Sequence, residues 1–560
     1  MTGHQVKTTG SWRNLSKVLP SEESYVNGHL SRPAFISIAI LTFITFVGNF
    51  TQLQLSAALP TIVEEFHISV TTGQWLTSII QLVMGVMVPL TAYLTRRFST
   101  RQIVISSMTV FTIGSLLAWV GPTFSLVLLG RTLEAIGSGV MWPVLQITVF
   151  SIFPMSRRGM AMGTVGVAMS VAPAIGPTFG GWQTDANGWR SIFLSLAIVG
   201  LLALVLAIFG LHNFVDNDKT VKADFFSVAL SIFGFGGVMF GFTNIQSYSF
   251  TNPLVWLPLV IGICGITWFV LRQIAKARRF KKAESKLCQG ISAGKDPNSA
   301  EANKLRQVQP PLLDLGVLKN HSFTIGTICA SLSFFAFSSV TVILPLFIQN
   351  DRGFDATMSG LIMLPGALGQ CIAQFMGGKM LDRFGARPVA LIGSITLFAG
   401  TVAMSSININ TWIWWISIFQ FVRQIGMGFV LMPITTWSLN CLESKAVSAG
   451  SAVTNTARQI AGAIGSPVLI VTMEMTAAAR FQAMGPGHAN EIASNIFGVQ
   501  MALHASSLIA LIMVLLVIFG VKGSGAGSTH DMTHRALARM HRSMEANKRI
   551  NASWKKVPGK

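Results

Sequence analysis

Two residues of this sequence could carry a proton through an apolar stretch. Arg131 and Glu134 stand three positions apart inside 124–149, a segment otherwise apolar enough to lie in lipid. Ionisable side chains at bilayer depth are costly and are functional candidates by default. At i,i+3 on a helix they share a face and can pair. Counting ~1.5 Å per residue inward from Phe124 places Glu134 near the membrane middle. The charge on such a carboxyl depends on whether water and the neighbouring guanidinium reach it, so a change of shape could load and unload its proton. Arg423, Arg458 and Asn455 are further buried polar residues. Arg458 has no acid in its own span within a few turns. The five cysteines lie singly, and no His, Cys or acid cluster in the spans suggests a metal or a membrane-embedded enzyme.

These residues need elements to hold them. Half of the 560 residues are hydrophobic (51%), 11% are charged and the mean hydropathy is +0.57. Apolar runs of spanning length recur along the chain, which marks a polytopic helical membrane protein, all-α in class. Fourteen spans are expected at about 34–59, 75–95, 103–120, 124–149, 161–182, 190–211, 225–247, 253–273, 322–348, 358–378, 388–406, 411–437, 447–472 and 499–521. Domain bounds follow: a tail 1–33, a six-span bundle 34–222, two inserted spans 223–273, a basic and partly disordered linker 274–319, a second six-span bundle 320–522, and a basic tail 523–560. Leaving out Arg131, Arg423 and Arg458 inside spans, one set of loops with both tails holds 35 of the remaining 38 Lys and Arg. The positive-inside rule makes that side cytoplasmic, in a cell membrane crossed many times. The net charge of +20 is thus a topology signal and an attraction to membrane lipid, not the footprint of a nucleic-acid binder. Trp75, Trp182, Trp189 and Trp412 are expected in an interfacial belt. The stretch after Thr529, with His530 and His534, reads as a basic surface helix.

The chain repeats itself. Leu94–Arg101 lies between spans 2 and 3, and Met380–Arg387 between spans 10 and 11. Arg97 and Arg383, and Arg101 and Arg387, are each 286 apart. Span 5, Ala161–Trp182, is uncharged yet rich in Gly and Pro. Small residues at helical spacing let two backbones approach closely, so it is expected to pack tightly against another span.

The pattern Ala172-x-x-x-Gly176-Pro177-x-x-Gly180-Gly181 in span 5 resembles the antiporter motif of drug/proton exporters in the major facilitator superfamily. Phe153-Pro154 and Arg158–Gly163 resemble its fourteen-span branch, closest to Gram-positive exporters of the lincomycin-resistance type. The second loop copy, with Gly378, Asp382, Arg383, Gly385 and Arg387, is similar to the superfamily's loop motif, which helps latch the halves together. The first copy keeps Arg97 and Arg101 but has Ala92, Arg96 and Ser99 where Gly, Asp and Gly are usual, which puts its latch role in doubt. Arg131-x-x-Glu134 resembles the span-4 motif, with Glu where Gln is usual. The acid that many relatives carry in span 1 is missing from Asn49–Gln54.

The resemblance implies a major facilitator fold, two six-helix bundles plus two inserted spans, with substrate bound near midplane between them. Spans 1, 4, 9 and 12 line the cavity in that superfamily. Asn49, Gln52, Trp142, Gln146, Phe334, Phe335, Gln420 and Trp437, with Gln81 of span 2, would form an amphipathic, aromatic site there. The implied function is a proton-coupled antiporter exporting small amphipathic or cationic drugs, with Glu134 and Arg131 coupling the proton. No cofactor beyond the proton gradient is called for, and the chain would act as a monomer. No nucleotide-binding Gly-rich loop of correct spacing occurs, which argues against a primary pump. The alternatives are a lipid or fatty-acid exporter or flippase on the same scaffold, and a non-transporting sensor.

Overall fold

The computed structural model describes residues 21–521, apart from 27–28, 74, 215–223, 246–247, 249–250, 293–307, 310, 355, 444–445 and 486. The surface helix expected after Thr529 and part of the linker (293–307 and 310) lie outside the described residues. Among the described residues, fourteen long helices are formed: α1 (Arg32–Gln54), α2 (Trp75–Arg97), α3 (Thr100–Val120), α4 (Phe124–Gly139 continued by Met141–Ile152), α5 (Arg158–Asn187), α6 (Arg190–Gly210), α7 (Phe225–Ile245), α8 (Pro253–Ser292), α9 (His321–Leu346), α10 (Ala356–Phe384), α11 (Ala386–Ser405), α12 (Ile413–Asn440), α13 (Val447–Met484) and α14 (His488–Gly520). Among the described residues, 13 candidate spans are long and apolar enough to cross a membrane. The fourteenth helix, α5, is rich in Gly and Pro. It is nevertheless a continuous helix of 30 residues.

Small residues set the packing in both halves. Gly48 of α1 lies against Ser138 of α4, and Gly326 of α9 lies against Ser438 of α12 in the same way. Behind them, Gly130 of α4 meets Gly114 of α3, and Gly426 of α12 meets Gly393 of α11, backbone to backbone. Without a hydrophobic drive between helices in lipid, such close approach is what holds spans together. The repeated loops end alike but start differently. Arg101 donates to the Ile208 carbonyl at the end of α6, and Arg387 donates to the Ile518 carbonyl near the end of α14. Gly385 turns the second loop with φ 83°, a conformation that favours Gly. Ser99 instead caps α3 in a reciprocal pair with Gln102.

The inserted hairpin α7–α8 is stitched by Gly234, Gly237, Gly262 and Gly265, and it rests on α2, where Gly85 meets Met239. It also packs on α13, so it spans the seam between the halves. The helix of span 8 continues past residue 273 into the expected linker: α8 runs on to Ser292. A helix leaving the membrane loses its apolar signal but keeps its backbone hydrogen bonds, and Ala, Lys, Arg and Glu all favour helix. Asp224 ties the hairpin together at its base, with Arg272 at 3.1 Å and Lys276 at 2.5 Å. Burial pushes the Asp224 carboxyl up, but hydrogen bonds from Arg272, Lys276 and Ser227 outweigh it and hold it below the usual carboxylate range. Gln273 then accepts from Leu312 N at 2.8 Å, fastening the far end of the linker to α8.

Likewise, the long connection expected between spans 13 and 14 is mostly helix, with a tight turn at Gly485 (φ 81°). Trp182 and Trp412 are exposed, as a belt requires, but Trp189 is 2% exposed. Its indole donates to Glu65, which also pairs with Arg190 at 2.9 Å. The face carrying the α2–α3, α10–α11 and linker connections is called the basic face below.

Candidate functional site: the path between the halves

Glu134 and Arg131 are fully enclosed, each with 0% exposure. Their i,i+3 spacing on α4 brings Arg131 Nη1 to 2.7 Å from Glu134 Oε2. The other carboxylate oxygen accepts from Ser115 Oγ of α3 at 2.6 Å. Arg131 then donates to two backbone carbonyls, Thr51 of α1 at 3.2 Å and Leu76 of α2 at 3.3 Å. Four spans thus meet at one ion pair. Removing either charge would strand the other, a change that costs about 3–5 kcal/mol in a buried pair. Arg423 of α12 holds the comparable place in the second half. It donates to the Ala336 carbonyl of α9 at 2.8 Å, but Nε and Nη1 meet no acceptor.

At the seam, two expected cavity residues, Trp142 and Gln146, bond to the buried polar residue Asn455. Trp142 Nε1 of α4 donates to Asn455 Oδ1 of α13 at 3.0 Å, and Asn455 Nδ2 donates to Gln146 Oε1 at 2.9 Å. Ser451, one turn before Asn455, donates to the same Gln146 oxygen. Sequence reasoning missed Ser451. Its i,i+4 relation to Asn455 was the available signal. Arg458 lies one turn further along α13, 5.8 Å from the Trp142 ring and 5.0 Å from the Phe334 ring, with Nε and Nη1 lacking an acceptor. Cation–π contact of this kind contributes on the order of 0.5–2 kcal/mol. Two polar half-surfaces and a cation between aromatic rings therefore form the centre of the molecule.

The remaining expected lining residues do not join this group. Asn49 points at α5, where it meets Met169. Phe335 packs on Gly465 of α13. Gln420 is buried against Gly366 of α10 with its Oε1 unpaired. Trp437 sits near the basic-face end of α12 beside the core. Gln52 is partly buried, and Gln81 is exposed one turn from Gly85.

Toward the basic face the halves are latched. Asp382 of α10 accepts from Gly159 N at 2.9 Å and Met160 N at 2.8 Å, capping the start of α5 across the seam. A carboxylate is favoured there because a helix start presents unpaired N–H groups and a positive partial charge. Gly378 and Gly163 bring the same two helices into backbone contact. Arg383 rests on the Phe384 ring. In the first loop copy, Arg96 replaces the Asp and reaches the Pro311 carbonyl of the linker at 3.2 Å. The α2–α13 side is closed instead by Thr95 and Ser448 hydroxyls 3.1 Å apart. Arg158, unassigned a role from sequence, anchors the seam through Asn440 at 3.1 Å. Among the described residues, side-chain hydrogen bonds crossing from α1–α6 to α9–α14 lie between the basic face and the centre.

The antiporter-motif part of α5 turns the other way. Ala172 and Gly176 are buried. A Cβ on Gly180 would collide with the Gln54 carbonyl of α1, and Gln183 is bonded to Gln54. Gly181 is partly buried beside them, and the Pro177 backbone is helical. One helix therefore holds its own half at one end and the other half at the other end.

Two overlapping matches to the model of the Major Facilitator Superfamily cover residues 38–283 and 225–466. The chain belongs to this superfamily. Its relatives include the MFS-type transporter YcnB of Bacillus subtilis, 32% identical over 86% of this chain and 94% of that one. The lincomycin resistance protein LmrB of Listeria monocytogenes is 30% identical over 89% of this chain and 99% of its own length. The fold resembles that of the human organic anion transporter MFSD10, with a TM-score of 0.59 at 10% identity, covering 87% of this chain and 100% of that one. This facilitator is thus a multi-pass membrane protein of a transporter family, and its two bundles with an inserted hairpin are the fourteen-helix form of the fold.

Proposed function

We propose that this facilitator is a secondary exporter that moves small amphipathic drugs out of the cell in exchange for protons, with its basic face toward the cytoplasm. The relation to a protein named for lincomycin resistance supports the drug-export part. The observation that carries the proton part is the sealed Arg131–Glu134 pair, which ties α4 to α1, α2 and α3. A proton arriving at Glu134 would cancel the charge that holds Arg131 Nη1. It would leave Arg131 held only by the Thr51 and Leu76 carbonyls and loosen α4 against its neighbours. Each proton moving inward through 100 mV releases about 2.3 kcal/mol, enough to drive roughly a fifty-fold drug gradient.

Proteoliposomes loaded with a pH dye provide the test. Wild-type protein should release protons when drug is added, whereas Glu134→Gln should bind a neutral drug but release none. Unchanged proton release from Glu134→Gln would reduce the pair to a structural tie. Lipid movement without drug movement in the same vesicles would return the lipid-export reading. An impermeant maleimide should reach Ser285→Cys on the exposed end of α8, in a background cleared of native cysteines, only in inside-out vesicles. Labelling in right-side-out vesicles would reverse the orientation.

A further inference from the structure

A cavity of about 1050 Å³ opens on the outer flank of the first half, near the basic face. It lies between α1 and α5 and is roofed by the short hairpin that pairs Tyr25–Val26 with His29–Leu30. Its walls are apolar: Phe35, Phe43 and Phe46 from α1, Ala161 and Val165 from α5. All of its lining residues come from one half, so it is separate from the central path. Phe35 and Ile36 on its rim are 62% and 46% exposed. On a membrane-spanning helix, that exposure is to lipid.

The charge on the cavity is one-sided. His29 and Arg32 stand at the basic-face end, and among the described residues no acidic one lines it. Arg32 makes no ion pair among the described residues. We propose that this groove is a binding site for one anionic phospholipid, its phosphate on Arg32 and His29 and its acyl chains along α1 and α5. The volume sits at the upper end of small-ligand pockets, the walls are as apolar as an acyl chain requires, and the cationic end lies where an anionic headgroup would be. The floor of the groove is the stretch of α5 whose other side carries Gly159 and Gly163 against α10. A lipid seated there braces α5 in the position that latches the halves.

The experiment uses the full-length protein in nanodiscs containing phosphatidylglycerol or phosphatidylcholine with a photoactivatable acyl tail, with crosslinks mapped by mass spectrometry. Crosslinks should concentrate in 35–46 and 160–168. Phosphatidylglycerol should label about fivefold more than phosphatidylcholine, the effect of one basic residue at an anionic surface. Arg32→Gln should bring that ratio near one. Ala39→Trp, which fills the groove, should remove these crosslinks. Phosphatidylglycerol should also raise the melting temperature of the wild type more than that of Arg32→Gln, as selective binding to the folded state requires. Crosslinks spread evenly around the helices, or an unchanged lipid ratio in Arg32→Gln, would overturn the site. So would complete displacement of the lipid by lincomycin, which would make the groove a drug port.

Discussion

Arg131 and Arg423 are both wholly enclosed, and they differ in their partners. Arg131 has Glu134 three residues on, where Arg423 has Gly426. Arg131→Met should therefore destabilise the protein by about 3–5 kcal/mol, because it leaves a carboxylate buried alone. The double change Arg131→Met with Glu134→Leu should recover most of that loss. Arg423→Met should be neutral or mildly stabilising, since two of its nitrogens already lack acceptors. Thermal unfolding of the three variants in detergent checks the order. A stable Arg131→Met would show that Glu134 is neutral when folded. The Arg131–Glu134 contact was legible in the sequence because it is local to one helix turn. The bonds joining Trp142, Gln146 and Asn455 were not, although each residue stood out, because the partners are more than 300 positions apart. Their polar groups are spent on one another, a fact that helix periodicity cannot supply.

Among the helices, α5 shows how one sequence pattern serves two contacts. Its Gly and Pro content announced close packing, but only the structure divides it between partners. A Cβ on Gly163 would stand 2.6 Å from the Gln374 carbonyl of α10, and Gly180 faces the backbone of α1. Gly180→Leu should therefore disturb the assembly of the first half and lower the yield of folded protein. Gly163→Ala should leave folding near normal but weaken the latch, since the α5–α10 contact lies between halves that must separate during transport. Cysteine reactivity from the basic face should rise in Gly163→Ala at positions sealed in the wild type. Equal folding defects in both variants would mean that α5 packs as a single rigid unit. The spans themselves were legible from hydropathy, including the Gly- and Pro-rich α5. The extension of α8 to Ser292 was not, because amphipathic and charged helix outside the membrane carries the same composition as a linker.

Across the whole molecule, the contacts are arranged as a door closed on one side. The Asp382 cap, the Arg158–Asn440 bond and the Thr95–Ser448 pair join the halves from the basic face to the centre. The two sides of that door are chemically unequal. On the α5–α10 side a carboxylate caps a helix, a charge-assisted contact roughly twice as strong as a neutral one. On the α2–α13 side the first loop copy has Arg96 in place of the Asp, Arg96 is turned to the linker, and among the described residues a pair of neutral hydroxyls joins α2 to α13. The inserted hairpin lies along this weaker side, where α7 packs on both α2 and α13. Opening toward the basic face should therefore break the Thr95–Ser448 contact with little resistance, and locking it should stop the cycle. With native cysteines removed, Thr95→Cys with Ser448→Cys should oxidise readily, since the hydroxyl oxygens they replace are 3.1 Å apart. Transport in proteoliposomes should cease on oxidation and return on reduction, while each single variant transports throughout. Drug added from the opposite face should still bind the oxidised protein, because the described side-chain bonds that cross between the halves lie between the basic face and the centre. Undiminished transport by the oxidised double variant would mean that the halves part elsewhere, with the α5–α10 side as the only moving gate.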